Sequence, residues 1–345
     1  MVRVGIVGIG FMGMIHYLAA QRLDNARVTA IVSRDPKKRA GDWRGIRGNF
    51  GPPGQLMDLR DLKAYSRLSE LLADPDIDLV DICLPTSMHA QASLEALRAG
   101  KHVLVEKPIA LSLEDAARMV EAAQQTGKLL LVGQVLAYVP EFAWALQLAR
   151  SSAAGKLLAG HLDRIISKPD WSAEIADPAK TGGPAIDLHI HDAHYVTLIG
   201  GVPRAVYSRG VIENGVVTHL TTHYIYDSDG PACLTCSSGA LCQKGREFTH
   251  GFELYFEKAT VSYRLGSPLT VYWADGRTEQ PKLMGGDDPT AAFTAELQAA
   301  VQAVVQGRAP QELSGELARL ALALCYKEIE SATSGRMVSV SMDTK

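Results

Sequence analysis

The stretch DLHIHDAHYV, residues 187–196, puts three histidines and two aspartates into ten positions. Crowded imidazoles and carboxylates do two kinds of chemistry: they ligate a metal, or they move protons. The metal reading asks for His-x-His-x-Asp-His. His189, His191 and His194 are in place, but position 193 is Ala and the aspartate stands at 192. No early strand ends in a His-x-His pair either, so no metal is expected. The proton reading asks for a helix. Residues 187–199 hold few breakers and run into Gly200-Gly201, a natural helix stop. On a helix Asp187 and His191 stand four apart on one face, with His194 nearby, while His189 and Asp192 point elsewhere. That pair suits a base of near-neutral pKa oriented by a carboxylate. The competing reading makes Asp187 a cap of its own helix.

A glycine loop offers a second chemistry. Gly8-Ile9-Gly10-Phe11-Met12-Gly13 directly follows an apolar run, Val2–Val7, and opens a helical pattern. Alone the spacing is weak; between a strand and a helix it marks a cradle for a dinucleotide pyrophosphate. An acidic residue some 20 positions on would bind the ribose diol of NAD. Here Ser33-Arg34 occupies that place, with Lys38 one helical turn further on. Guanidinium and hydroxyl fit a 2′-phosphate, so NADP(H) is favoured and NAD(H) stays open through Asp35. A third candidate is Glu106-Lys107-Pro108, at the C-terminal end of the run His102–Val105. In a doubly wound sheet that edge is the ligand crevice. On its own, Lys107 would read as a surface lysine.

The elements that must position these groups follow from period and punctuation. Near-continuous apolar runs at Val2–Val7, Val28–Val32, Leu79–Leu84, His102–Val105 and Leu129–Val132 alternate with helical segments. That pattern predicts a parallel sheet covered on both faces. Asp35 before Pro36 reads as a cap and first turn; Ser112 with Asp115 caps a helix over 113–126 that Gly127 ends. Residues 45–58, rich in Gly and Pro, read as an inserted surface loop. Beyond about residue 135 come a helix over 140–154, then runs of Val, Thr and Tyr over 204–273 with a hairpin turn at YDSDGP, 226–231. Helices return near 290–306 and 314–333. This half predicts a large, mostly antiparallel open sheet. A large exposed apolar sheet face would need a partner, so a homodimer or homotetramer is expected.

At 345 residues, two domains are the prior, divided here as 1–133 and 134–345. A net charge of −3 gives no basic face for nucleic acid. Five cysteines are too few and too scattered for a disulfide framework, which favours a reducing, cytoplasmic setting. No apolar run is long enough to span a membrane. The N-terminal MVRVGIVGIGFMGMIHYLAA mimics a secretion signal, but its four glycines follow the cradle pattern instead. Cys233, Cys236 and Cys242 with His219 and His223 invite a zinc reading. Strand geometry opposes it: His219 and His223 would lie about 13 Å apart, and Cys233 and Cys236 would face opposite sides.

GIGFMG at 8–13, CLPTSMHAQASLEALRAGKHVLVEKP at 83–108 and TGGPAIDLHIHDAHYVTLIGG at 181–201 together resemble the Gfo/Idh/MocA oxidoreductases, which include glucose–fructose oxidoreductase and inositol dehydrogenases. The resemblance extends to KEIESATSGRMVSV at 327–340. It implies a Rossmann domain, a second α/β domain with an open sheet, and an active site between them. It implies hydride transfer between a nicotinamide and a secondary alcohol of a sugar or cyclitol. Lys107, Asp187 and His191 match the family's catalytic residues. The implied cofactor set is Gly8, Gly10, Phe11, Met12, Gly13, Ser33, Arg34, Lys38, Leu84, Pro85, His89, Glu106 and Lys107. Candidate substrate contacts, besides the catalytic three, are Tyr138, Lys168, Trp171 and His194. Many sugar-oxidising relatives carry an arginine where this chain has Ala137, and often Asp where it has His194, so substrate identity does not transfer. Two other readings share these residues: a redox-assisted glycosidase, which would consume no net cofactor, and a non-catalytic dinucleotide sensor. Intact Lys107, Asp187 and His191 argue against the sensor.

Overall fold

The computed structural model describes residues 1–168, 177–285, 288 and 290–340. Its first stretch alternates strand and helix. It comprises β1 (Val2–Val7), α1 (Phe11–Ala20), β2 (Ala26–Val32), α2 (Pro36–Arg39), β3 (Lys63–Tyr65) and α3 (Leu68–Leu72). β4 (Leu79–Ile82), α4 (His89–Arg98), β5 (His102–Glu106), α5 (Leu113–Thr126) and β6 (Leu130–Gly133) complete it. The six strands are parallel in the order β3-β2-β1-β4-β5-β6. The chain winds outward from β1 in both directions, so the switch point lies between β1 and β4, where a doubly wound sheet holds its ligand. The expected strands all form, with ends shifted by a residue or two. β3 was not expected; it is three residues long, and none of them is buried.

The punctuation works as read. Ser112 accepts the Asp115 N–H at 3.1 Å, and Gly127 ends α5 in the left-handed conformation at φ 64°. Asp35 accepts the Lys37 N–H at 2.8 Å. The 45–58 loop departs from its reading as plain surface. Ile46, and Trp43 just before it, are buried, and Phe50 stacks on Phe293 at 5.4 Å. Three apolar side chains in a Gly-rich segment suffice to dock it.

The second stretch holds α6 (Pro140–Arg150), β7 (Leu157–Ser167), α7 (Pro178–Thr181), α8 (Pro184–Asp187) and α9 (Ile190–Gly200). β8 (Ala205–Glu213), β9 (Val216–Ile225), β10 (Cys233–Leu241), β11 (Thr249–Phe256), β12 (Ala259–Arg264), β13 (Thr270–Trp273) and β14 (Thr278–Glu279) follow. α10 (Ala291–Gln306), α11 (Gly315–Ser334) and β15 (Val338–Ser339) close the chain. Nine strands form one sheet, β14-β13-β12-β11-β7-β10-β9-β8-β15. Among the described residues β7 with β10 is its one parallel pair. β9 and β10 flank the 226–231 turn as expected.

Alternation sorts this sheet's faces. Leu220, Tyr224, Leu234, Cys236, Phe252, Leu254 and Val261 point to the buried side. The opposite side carries His219, Thr221, His223, Thr235, Ser237, His161, Glu253, Ser262 and Arg264. The same side carries Tyr207, Val211, Tyr255 and Tyr272, with Tyr207, Val211 and Tyr272 exposed, so it mixes polar and apolar groups.

The chain divides into two compact units, Met1–Tyr138 with Gly285–Arg319, and Val139–Met284 with Leu320–Lys345. This differs from the division at 133/134 because α10 returns to the first unit. Its Phe293, Leu297, Ala300 and Val301 join the core built by Met14, Ile15 and Tyr17 of α1. Each large side chain so buried contributes about 2 kcal/mol. Among the described residues no helix is long and apolar enough to cross a membrane. All five cysteines are free.

Candidate active site and dinucleotide cradle

In the first unit the site is built on strand ends. β1 runs into the glycine loop, where each glycine has its own reason. Gly8 sits at φ 97°, and a Cβ there would lie 2.7 Å from the Cys83 carbonyl oxygen. A Cβ at Gly13 would lie 2.1 Å from Gly8 O, so α1 packs tightly on the loop. A Cβ at Gly10 would meet nothing within 4 Å. Packing therefore demands two of the glycines, and the third borders open space. Gly10 is the N-cap of α1 and makes no side-chain cap, so the first-turn N–H groups point out with their positive dipole end. That combination fits a pyrophosphate, and the residues present fit a dinucleotide. Phe11 and Met12 contribute backbone here. Their side chains turn to packing, Phe11 edge-on to Phe50 at 4.7 Å and Met12 against the core.

At the end of β2, Ser33 is buried and Arg34 is exposed. The Ser33 hydroxyl accepts the Asp35 N–H at 3.3 Å, and Asp35 spends its carboxylate on the Lys37 N–H. Arg39 donates to the carbonyls of Ser33 and Arg34 at 2.7 and 3.0 Å, fixing the turn. No motif pointed to Arg39. Lys38 is half-buried, and its carbonyl accepts the Trp43 indole N–H.

Beside the ends of β4 and β5 stands His89. Its ring is buried, with Nδ1 2.8 Å from Pro108 O and Nε2 2.8 Å from Leu84 O. Both nitrogens face backbone carbonyls, so His89 links Leu84 to the turn after Lys107. Leu84 is half-buried beside it and Pro85 is exposed. Glu106 turns inward: Oε1 lies 3.0 Å from His16 Nε2, and Oε2 accepts the Lys107 backbone N–H at 3.0 Å. Lys107 itself is half-buried at the strand's end. At the end of β6, Gln134 is 1 % exposed, and its side-chain amide has no hydrogen-bond partner among the described residues. Gln134 was missed because a lone glutamine after a strand carries no pattern. Tyr138 is half-buried against the first unit's core.

In the second unit the decapeptide does not form one helix. Asp187 ends α8, and α9 begins at Ile190. Between them the His189 N–H reaches back five residues to Pro184 O. The expected helix over 187–199 is therefore broken at 188–189. Its end is right: Gly201, at φ 77°, caps α9. The break also removes Asp187 as a cap of α9, since His189 holds the cap position and makes no side-chain cap. Asp187 and His191 are half-buried, and His194 is fully buried.

His189 and Asp192 do point elsewhere, into a buried network. His189 Nε2 lies 2.8 Å from Glu328 Oε2, and its Nδ1 lies 2.9 Å from Ser238 Oγ. Ser238 donates to Asp192 at 2.9 Å. Arg164 grips Asp192 with two bonds, at 2.9 and 3.1 Å. This network pins both sides of His191 to β7, β10 and α11. Burial alone would keep His189 neutral, but the Glu328 carboxylate outweighs it and raises the ring's pKa. Among the described residues, His189, Asp192 and Cys236 come within metal-binding reach of one another, without His191 or His194. The three-histidine metal pattern is not assembled. Cys233 is exposed and Cys236 is buried, as opposite faces of β10 require, and Cys242, past the strand's end, is exposed. Lys168 is exposed and ion-paired with Glu213. Trp171 lies outside the described residues.

Residues 2–134 match the oxidoreductase family Gfo/Idh/MocA, with an NAD-binding Rossmann fold. An uncharacterized oxidoreductase of Bacillus subtilis, YrbE, is 30% identical over 278 residues, covering 77% of this chain and 75% of its own. Myo-inositol 2-dehydrogenase of Thermotoga maritima is 25% identical over 98% of each chain. In three dimensions, levoglucosan dehydrogenase in complex with NADH and levoglucosan superposes with a TM-score of 0.84. That match covers 99% of this chain and 100% of the other at 20% identity, a likeness of fold.

Proposed function

The chain belongs to the Gfo/Idh/MocA family of oxidoreductases and is an NAD(P)-dependent dehydrogenase acting on CH–OH groups; on that premise we propose that it moves a hydride between NADP(H) and a secondary alcohol or ketone of a sugar, cyclitol or related polyol. The observation that carries the reading is the cradle at Gly10, open in front and uncapped behind. The inositol and levoglucosan dehydrogenases among its relatives support the substrate class. The choice of NADP(H) rests on the β2 turn. Asp35 is committed to α2, which leaves Arg34 and Lys38 as the charged groups for a 2′-phosphate.

When bound, the nicotinamide supplies the carbon that takes or gives the hydride. The chain's own groups manage the proton and the charge. As hydride leaves the substrate carbon, its hydroxyl must lose a proton, and His191 accepts it. Asp187 orients the imidazole and stabilises its cation. Lys107 stabilises the developing alkoxide. In reduction His191 returns the proton. A homodimer or homotetramer through the open face of the second sheet belongs to the same proposal, and light scattering reads it directly.

Two measurements test the reading. NADPH and NADH are titrated side by side; NADPH binds more tightly, and Arg34→Ala removes the difference. Preference for NADH would overturn the cofactor choice and leave the dehydrogenase standing. With the better cofactor and a panel of polyols, His191→Ala keeps dinucleotide affinity and lowers turnover by about 10²–10⁴-fold. Unchanged turnover would remove His191 as the base.

A further inference from the structure

Four ionisable side chains with no part in the proton and hydride steps meet beneath the glycine loop. His16 comes from α1, three residues past Gly13, and is fully buried. Its Nδ1 lies 2.9 Å from Asp81 Oδ2, on β4. Its Nε2 lies 3.0 Å from Glu106 Oε1, on β5, at ion-pair distance but outside hydrogen-bond geometry. Glu296 enters from α10, fully buried, and neither carboxyl oxygen has a hydrogen-bond partner among the described residues.

We propose that His16 is a positioning residue of the dinucleotide site, holding the glycine-loop helix and the Glu106–Lys107 strand end at a fixed separation. The inference rests on the reading that the first unit binds a dinucleotide. α1 carries the N–H groups that face the pyrophosphate, and β5 ends in Lys107. These two elements are not adjacent, because β4 runs between β1 and β5. The His16 ring makes the side-chain bridge, one nitrogen toward β4 and the other toward β5. The connection continues to Lys107, since the second Glu106 oxygen accepts the Lys107 backbone N–H. Turning Glu106 away from His16 would free the backbone of Lys107. Misplacement of a positioning group by about 1 Å can cost about 10²-fold in function.

The charges agree with this role. Burial disfavours the His16 cation, yet the Asp81 carboxylate pulls the ring's pKa well above its ordinary value. Burial pushes Glu106 up, and His16, Lys107 and His89 bring its pKa below the ordinary value. Burial, reinforced by the Glu106 charge, raises the Glu296 pKa well above its ordinary value and favours the protonated form. His16, Asp81 and Cys83 also come within metal-ligand reach of one another. A metal would have to displace the Asp81 and Glu106 contacts, and burial keeps the Cys83 thiol protonated.

The test uses the full-length chain. Dinucleotide affinity of wild type, His16→Gln, Glu106→Gln and the double variant is titrated from about pH 6 to about pH 10, with the fold checked by circular dichroism. Each single variant is expected to bind at least about tenfold more weakly, and the double no more weakly than the worse single. Wild-type affinity should decline as pH rises through the raised range of His16, and His16→Gln should flatten that decline. Affinities within about twofold of wild type, or additive losses in the double, overturn the inference. Unfolding of both single variants overturns it as well, since the bridge would then hold the unit rather than the site. A wild type that binds neither dinucleotide overturns the dinucleotide reading, and this inference with it.

Discussion

Each unit buries an imidazole among carboxylates, and the two clusters resolve their charge in opposite ways. In the second unit His189 faces Glu328, and Asp192 faces Arg164. Two cations meet two anions, and Ser238 joins the pairs. His250, whose pKa burial and the Arg164 charge lower to about 3, places Nδ1 3.4 Å from the guanidinium. Among the described residues only Glu328 Oε1 in this group lacks a partner. In the first unit one imidazole meets Asp81 and Glu106, and a third carboxyl, Glu296, has no partner. Among the described residues no arginine enters, and burial favours the protonated form of Glu296. A balanced network anchors a helix over a wide pH range. An unbalanced one ties local geometry to protonation. The first serves α9, whose task is to present His191; the second lies under a binding loop.

The comparison breaks most sharply at Arg164. Arg164→Met keeps the volume and strands Asp192 as a buried, unpaired charge. Removing one partner of such a pair costs about 3–5 kcal/mol. Chemical denaturation reads the loss, and His191-dependent turnover should fall with it. A change below about 1 kcal/mol would mean that Asp192 takes up a proton at little penalty, and the network is then no anchor.

A smaller effect is expected at Glu328. Glu328→Gln keeps a hydrogen bond to His189 but removes the charge, a loss of about 1–3 kcal/mol. The sign with pH follows from the raised His189. Its stabilisation is fully present below the unfolded-state pKa and is lost as pH rises through the folded value. Glu328→Gln should remove that decline. Ring-proton NMR of His189 checks it: the titration should move to lower pH in the variant.

What the sequence made legible was local. The glycine loop, the Ser112 cap, the Asp35-Pro36 turn and the Gly200-Gly201 stop all act within a few residues. Lys107 was legible because a strand end is a place as well as a motif. The clusters were not. His16 and Asp81 are 65 residues apart, and His189 and Glu328 are 139 apart. No spacing rule reaches that far. The helix break at 188–189 was hidden for the same reason, because the ring of His189 lies among distant polar partners. α10 read correctly as a helix, but nothing in its period said which core it would join. His89 read as a ligand group because its neighbours are strand-end residues; its two backbone carbonyl partners have no side-chain signature.

The smallest expected effect separates the clusters most finely. Glu296→Gln replaces a protonated carboxyl with a neutral group of the same shape. If Glu296 is neutral in the folded chain, stability near neutral pH should change by less than about 1 kcal/mol. The pH dependence should change more. A carboxyl whose folded pKa is raised binds a proton in the native state that the unfolded state has released. Stability therefore falls as pH rises from the ordinary carboxyl range toward the folded value. Denaturation midpoints followed from acid to neutral pH should show that slope in the wild type and a shallower one in Glu296→Gln. A loss of several kcal/mol at neutral pH would show an ionised Glu296 that His16 needs as a counter-charge. The first cluster would then be held by attraction, as the second is, and the contrast between them would collapse.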